Sequence, residues 1–469
     1  MRVRCHSEYF SPTGVSLLVI SDPAHSRLPA LAQRDWLALI AFYGSVALIA
    51  GAIFAPRAAA TLFPMPIGLA LGALLIRPDR DNVRVGVNAL MVALIVFSAF
   101  GMLSALWSVA PLASLSKPLY LLGAALGIGV FAAIAAGTRT TLLQPTARGL
   151  MVGLFAGALF LCFETLTDQA FTRFLFNHVS WVRIGREKNL QIVNDVIVKV
   201  GENEINRRAT VVTMLLMPAF MMVLTLIEGL ARRAGLVLLA VITAILMGFS
   251  GHQSSQAAIA AGAVAFGMAL ISPVWTRWLI GLTWCVCCLL IVPIVTSLHA
   301  TDIHKNPKGL FFSARHRVVI WNTTAEQVKL APWLGIGADA TAAKTEARDK
   351  NLQDAGIAAP KDGQFDTTTA RHAHNVYLQV WYELGAAGAV LFTAIGLAAL
   401  ALIGQQRDKL QPFLLAQFAA VAAMIAFSFS LWQLWFLGAI GFGVLNLLIG
   451  AIAFERAQTA SSGSDAARG

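Results

Sequence analysis

The chain has 469 residues, of which 57% are hydrophobic and only 13% are charged, whereas a soluble domain carries about 25% charged residues. Apolar runs of about 20 residues, long enough to cross the hydrocarbon core of a bilayer, recur along the chain. These runs are continuously apolar rather than alternating, which argues against a β-barrel. Composition therefore excludes a soluble protein and predicts an all-α polytopic membrane protein.

Twelve candidate spans follow one another in chain order. Before them lies a cytoplasmic N-terminal segment (1–35), a large polar loop (299–373) separates the ninth span from the tenth, and a cytoplasmic tail (454–469) follows the last. We expect the large loop to be partly helical, notably over 313–330, where the spacing is amphipathic. The nine spans within 36–298 and the three within 374–453 are 36–54, 58–76, 86–107, 113–136, 147–168, 208–229, 233–249, 254–272, 275–298, 374–403, 411–431 and 434–453.

Basic residues collect in alternate short loops, which sets the expected orientation. The basic loops are RPDRDNVRV (77–85), TRTTLLQPTAR (138–148), ARRAG (231–235) and GQQRDKL (404–410). Both termini are then cytoplasmic, and the large loop lies outside. The net charge of +11 follows largely from these loops, which lie near anionic membrane lipids. No basic helix or recognisable nucleic-acid domain is present, so no nucleic-acid partner is expected.

Several cations fall on the outer side, at or near the ends of spans, where charge persists only if it is used or satisfied. Arginine presents a planar fork that binds phosphate oxygens bidentately, so the group indicates a lipid phosphate or pyrophosphate. For any one cation alone, snorkelling to lipid headgroups is the better interpretation. No D-x-D or H-x-x-x-H motif suggests a metal site, and no cofactor is expected. The cations are Lys117, Arg207, Arg208, Arg315 and Arg317, and His374 joins them at the start of the tenth span.

The stretch RHAHNVYLQVWYELGAAG (371–388) places a histidine at the mouth of an apolar span. On a helix that begins there, His374, Gly385 and Gly388 share one stripe. The glycines would admit a neighbouring helix, so the histidine would face protein rather than lipid. Asn375 would orient a ring or a sugar hydroxyl. The alternative is a water-facing histidine beside an ordinary packing seam, and spacing alone does not exclude it.

The pattern H-N-x9-G-x-x-G, matched by His374, Asn375, Gly385 and Gly388, resembles the signature of the O-antigen ligase family. Other elements resemble the same family. They are R-x-x-x-W from Arg317 to Trp321, the turn APWLGIGADA with Gly335 and Gly337, INRRATVV with Asn206 and Arg207, and GFSGHQSSQAA. The twelve spans and the outer loop extend the resemblance over nearly the whole chain.

The resemblance implies a GT-C-like glycosyltransferase of a Gram-negative inner membrane, with its active site facing the periplasm. It would transfer O-antigen from undecaprenyl pyrophosphate to a hydroxyl of lipid A–core oligosaccharide, with inversion and without a metal. His374 is expected to be the general base, while Arg207 and Arg317 stabilise the departing pyrophosphate. Supporting roles in substrate binding are expected for Arg208, Arg315, Lys117, Asn206, Asn375 and Trp321.

Three alternatives stay open at this point. An O-antigen polymerase and a protein O-oligosaccharyltransferase belong to the same superfamily and share the outer arginines. A transporter of lipid-linked sugar would carry charge at the midplane and on both sides, which this chain does not show. A transporter would move labelled donor unchanged, whereas a transferase would release undecaprenyl pyrophosphate.

Overall fold

A computed structural model describes residues 31–75, 86–137, 140–179, 189–306, 308–358, 361–362, 365–366 and 370–466. The N-terminal residues 1–30, the loop 76–85 with its arginines, and residues 138–139 lie outside this description, so the orientation inferred from them stays a prediction. The helices are α1 (Leu31–Phe54), α2 (Ala59–Leu62), α3 (Pro64–Leu75), α4 (Ala89–Leu103), α5 (Pro111–Gly137), α6 (Thr140–Leu166), α7 (Ala170–His178), α8 (Asn203–Leu226), α9 (Gly229–Phe249), α10 (Gln253–Ile271), α11 (Pro273–Ala300), α12 (Phe312–Val328), α13 (Thr341–Asp354), α14 (Val376–Gly404), α15 (Gln411–Phe427) and α16 (Leu434–Ala466). Two antiparallel hairpins are formed by β1 (Leu190–Val193) with β2 (Val196–Val200), and by β3 (Lys361–Asp362) with β4 (Phe365–Asp366).

Ten of the described helices are long and apolar enough to cross a membrane, which confirms the prediction of an all-α polytopic membrane protein. Two predicted spans differ. The span 411–431 becomes the shorter α15, which ends at Phe427. The span 58–76 is divided because Pro64 has no N–H to donate to the carbonyl of Ala60, and the Tyr120 hydroxyl donates to that carbonyl instead, at 2.8 Å.

Small residues allow neighbouring helices to pack closely where they cross. Gly149, Gly153 and Gly157 recur every four residues on α6, and a Cβ at Gly149 would lie 2.3 Å from the carbonyl oxygen of Phe42 on α1. Such close approach gives dispersion contact between backbones in a medium where apolar burial alone does not favour association. Helix α8 lies at the centre of the bundle, buried on all sides from Ala209 to Leu216.

The outer loop 299–373 contains α12 and α13, so the prediction that it is partly helical holds. Its turn 332–337 inserts into a break in α14. Gly385 has φ 64° and ψ −163°, a conformation available essentially only to glycine. The break frees four backbone groups of α14, and the turn pairs with all of them. Ile336 and Gly337 donate to the carbonyls of Tyr382 and Glu383 at 3.2 and 2.8 Å, while Ala386 and Ala387 donate to those of Pro332 and Trp333 at 2.8 and 3.2 Å.

We call this joint the glycine clasp, comprising the turn 332–337 and residues 382–387 of α14. Its glycines are reciprocal: a Cβ at Gly335 would lie 2.3 Å from the carbonyl carbon of Glu383, and one at Gly385 would lie 2.3 Å from that of Trp333. The expectation that Gly385 admits a neighbouring helix was therefore wrong, because it admits a loop backbone. The expectation that His374 shares a helical stripe with Gly385 and Gly388 was also wrong, because α14 begins at Val376 and His374 lies outside it.

Candidate functional site

His374 is held in the left-handed region with φ +52°, immediately before the helix cap of α14. Its backbone N–H donates to Nδ1 of His372 at 3.2 Å, and its own Nδ1 lies 3.1 Å from the carbonyl oxygen of Ser428. Because a carbonyl only accepts hydrogen bonds, Nδ1 of His374 carries the proton and Nε2 keeps its lone pair. This tautomer makes the ring a proton acceptor at Nε2.

Three histidines share one electrostatic environment around Arg317. Burial, reinforced by the positive charge of Arg317, lowers the pKa of His252 to about 3 and that of His372 to about 4. Burial, His372 and Arg317 together lower the pKa of His374 to about 3. All three rings are therefore neutral at neutral pH. The lone pair of His372 accepts the N–H of His374, whereas Nε2 of His374 keeps its lone pair. We call these four residues the His–Arg cluster.

Arg317 itself is half-buried, and burial lowers its pKa. In the part of the chain that the structure describes, no carboxylate or other hydrogen-bond acceptor pairs with its guanidinium. A desolvated cation without a counter-ion is costly unless an anion binds beside it. The cluster therefore has the charge and the desolvation of an anion site, with a proton acceptor next to it.

Arg207 lies at the start of α8, at the same end of the bundle. Its Nη1 donates to Glu204 at 2.9 Å, and its guanidinium covers the ring of Trp435 at 5.7 Å. Trp435 packs on Phe429 with ring centroids 4.6 Å apart, and Phe429 lies 5.9 Å from His252. Aromatic contacts thus connect Arg207 to the His–Arg cluster.

Glu204 is shared between two arginines, because Nη2 of Arg57 also donates to it, at 3.2 Å. Glu204 thus bridges two arginines at the start of α8. Nothing in the local sequence pattern around Arg57 indicated this pairing.

The neighbouring cations have structural partners instead. Arg208 is buried and donates to Glu164 at 3.0 Å, and Glu164 also accepts from the backbone of Phe171 and Thr172. Arg315 is buried as well, and its Nε donates to the carbonyl of His304 at 2.7 Å. The structure therefore separates Arg208 and Arg315 from the His–Arg cluster.

Lys117 is half-buried in α5 and lies near Asp339, whose pKa is raised to about 6 by burial, an effect that the charge of Lys117 partly opposes. Asp339 follows the glycine clasp, and its backbone N–H donates to the buried carboxylate of Glu383 at 3.0 Å. Glu383 also accepts from the indole of Trp432 at 2.5 Å. Lys117 thus lies beside Asp339, just after the turn of the glycine clasp, and does not belong to the His–Arg cluster.

The remaining predicted positions are mostly structural. Asn375 caps α14, with its side chain accepting from the N–H of Leu378 at 3.0 Å. Trp321 is buried against Phe427. Asn206 has its Oδ1 buried, and among the described residues neither this atom nor Nε1 of Trp321 has a hydrogen-bond partner. Of the predicted glycines, Gly335, Gly337 and Gly385 lie in the clasp, and Gly388 directly follows it on α14. No group of three or more His, Cys, Asp or Glu side chains among the described residues is arranged to hold a metal ion.

Sequence reasoning missed His372 and left His252 without a role. The signal for His372 was present in the repeated histidine of RHAHN, but only the irregular backbone at His374 brings the two rings together, with centroids 4.0 Å apart. His252 lies between α9 and α10, and no local pattern shows that this turn meets the end of the outer loop.

Comparison with known proteins agrees with the sequence resemblance. Residues 238–393 match a protein-family model described as O-antigen ligase, and this range includes His252, Arg317, His374 and the glycine clasp. The chain is also 26% identical over 232 residues to a Rickettsia felis protein provisionally named a polysaccharide ligase, covering 48% of this chain and 53% of that protein. The chain thus spans about half the length of this curated relative. The segment 238–393, which contains the His–Arg cluster, is thus similar to O-antigen ligase domains.

Proposed function

We propose that this protein is an O-antigen ligase of a Gram-negative inner membrane. It transfers O-antigen from undecaprenyl pyrophosphate to a hydroxyl of lipid A–core oligosaccharide on the periplasmic side, without a metal and with inversion. The observation that supports this most is the half-buried Arg317, which has no hydrogen-bond partner among the described residues, beside Nε2 of His374, whose lone pair is available. We assign Arg317 as the anion binder and His374 as the proton acceptor.

In the proposed reaction the acceptor hydroxyl attacks the anomeric carbon, and the bond from that carbon to the pyrophosphate oxygen breaks. Nε2 of His374 receives the hydroxyl proton, and the electron pair leaves with pyrophosphate. Arg317 stabilises the charge that builds on the leaving group, and Arg207 with Arg57 adds positive charge at the same end of the bundle. A sugar pyrophosphate is already a good leaving group, so no general acid is needed.

The low pKa of His374 fits this scheme only if it rises when donor binds. A base with a pKa of about 3 is neutral but accepts a proton reluctantly. Part of that lowering comes from the charge of Arg317. A bound pyrophosphate neutralises this charge, so donor binding raises the pKa of His374 toward its ordinary value. The cluster would then become basic only when the leaving group is in place.

The test is complementation of a strain that lacks its own ligase, with lipopolysaccharide displayed by gel. We expect wild type to restore the O-antigen ladder and His374→Gln to abolish it at equal expression, because a general base contributes about 10²–10⁴-fold. His178→Gln is the matched control, since this exposed histidine lies on α7. A ladder restored by His374→Gln would contradict the role of the base.

The alternatives are an O-antigen polymerase and a protein O-oligosaccharyltransferase. Both would use the same cluster on the same donor and differ only in the acceptor. Wild type could leave bare core in strains with matched glycans while labelled donor still releases undecaprenyl pyrophosphate. That result would contradict the ligase and favour the polymerase or the protein O-oligosaccharyltransferase. Labelled donor that crosses the membrane unchanged would instead indicate a transporter.

A further inference from the structure

A cavity adjoins the His–Arg cluster at His372, within the outer loop. It has a volume of about 150 Å³ and lies between α12, α13 and His372. At about 30 Å³ for each water molecule, it holds about five waters, roughly the room that one sugar ring needs. Its lining includes the polar side chains of Thr323, Thr324, Gln327, Lys344, Arg348 and His372.

His372 connects this cavity to the chemistry. Its ring lines the cavity, its Nδ1 accepts the N–H of His374, and the two rings contact each other. Thr324 lies seven residues beyond Arg317 on α12, a distance of about 10 Å along the helix axis. A molecule in the cavity is therefore separated from His374, the proposed base, by the ring of His372. Its distance from Arg317 is about two turns of α12.

Several of the lining groups can form hydrogen bonds with a sugar. Gln327 is half-buried, and in the described part of the chain its amide has no hydrogen-bond partner, which leaves two donors and one acceptor for hydroxyl groups. Lys344 is exposed at the rim, and within the same described residues its ammonium group has no ion-pair partner. Arg348 follows one turn later on α13, with Asp349 at 3.2 Å. A carboxamide and threonine groups beside the ammonium group of Lys344 are complementary to a saccharide that carries an anionic group.

We propose that this cavity is the subsite for an acidic sugar of the acceptor, one bearing a carboxylate or a phosphate. This proposal rests on the proposed function. Gln327 binds sugar hydroxyls, Lys344 binds the anionic group, and His372 forms the wall that separates the acceptor sugar from His374. The two substrates then approach the base from opposite sides, the donor beside Arg317 and the acceptor past His372.

The test measures transfer by the full-length protein in detergent, with labelled lipid-linked glycan as donor and titrated lipid A–core as acceptor. Lys344→Glu reverses the charge at the rim and should raise the KM for acceptor at least tenfold, with kcat and the KM for donor unchanged. Lys344→Arg should restore the KM. Lys350→Glu is the control, because Lys350 lies about 240° away around the same helix and is also exposed. Gln327→Ala should raise the KM for acceptor in the same direction.

The outcomes separate the two proposals. If wild type transfers glycan to no acceptor, the proposed function fails. If wild type is active and Lys344→Glu leaves the KM for acceptor unchanged, the acceptor subsite is refuted. A rise confined to the KM for donor would place donor glycan in the cavity and also refute it. A chemically dephosphorylated, carboxyl-reduced acceptor gives an internal check, since Lys344→Glu should not change its KM.

Discussion

Gly385→Ala should break the glycine clasp. The added Cβ would lie 2.3 Å from the carbonyl carbon of Trp333 and 2.5 Å from the nitrogen of Leu334. Both are backbone atoms, so no rotamer change relieves the contact. The backbone at Gly385 would also be strained for alanine, at about 1–3 kcal/mol. Displacing the turn 332–337 further loosens the four hydrogen bonds of the clasp, at about 1 kcal/mol each. We expect the free energy of unfolding to fall by an amount on the order of 5 kcal/mol.

The measurement is the midpoint of thermal denaturation of the purified protein in detergent, together with transfer activity. Gly267→Ala is the matched control, since Gly267 lies within α10 and a Cβ there meets nothing within 4 Å, so alanine should be neutral or slightly stabilising. The double variant Gly335→Ala with Gly385→Ala should cost less than the sum of the single changes, because both break one joint. Equal denaturation midpoints for Gly385→Ala and Gly267→Ala would refute the reasoning.

Three further predictions concern the charged groups. Arg208→Met should lower stability by about 3–5 kcal/mol because it leaves Glu164 buried without its cation, and the double variant with Glu164→Gln should recover much of the loss in the same denaturation assay. Arg317→Met should leave that midpoint nearly unchanged but reduce transfer at least 100-fold, and NMR of the labelled histidine should show a higher pKa for His374; an unchanged pKa would contradict the cluster. The contribution of the neutral His252 and His374 to the free energy of unfolding should be fully present above pH 6.5 and should be lost as pH falls toward 3. The reason is that their pKa values are lowered in the folded state, so the unfolded chain binds more protons over this range. At pH 5 each ring should cost about 2 kcal/mol, which acid titration of the denaturation midpoint measures, and a midpoint constant from pH 7 to pH 4 would contradict it.

The spans were predictable because hydropathy depends only on local composition. Ten described helices match predicted spans, and α12 falls where amphipathic spacing indicated a helix in the outer loop. The break at Gly385 was not predictable, because a glycine in an apolar run looks the same whether it admits a helix or a loop. The placement of Asn375 as a helix cap was readable in principle, since asparagine commonly precedes a first turn.

Site prediction was limited by long-range contacts. Arg207 and Arg208 are adjacent in sequence, but successive residues on a helix point about 100° apart, so one faces Trp435 and the other Glu164. Nothing local distinguishes them. Arg315 and Arg317 separate in the same way on α12, where Arg315 donates to the carbonyl of His304 and Arg317 has no hydrogen-bond partner among the described residues. The residue types were predictable, whereas the roles depend on what each helix face meets.

The glycine clasp joins two points that stand 50 positions apart in the sequence. The intervening segment contains α13 and the β3–β4 hairpin. It is therefore a loop whose two ends are both fixed at the same point of α14. Residues can be inserted, removed or exchanged within it without shifting the register of α14. Under the proposed function, exchange of this one segment changes the acceptor preference while the proposed base and anion site stay in place. Chimaeras that exchange residues 342–369 between relatives would be a rational route to ligases with new acceptor specificity.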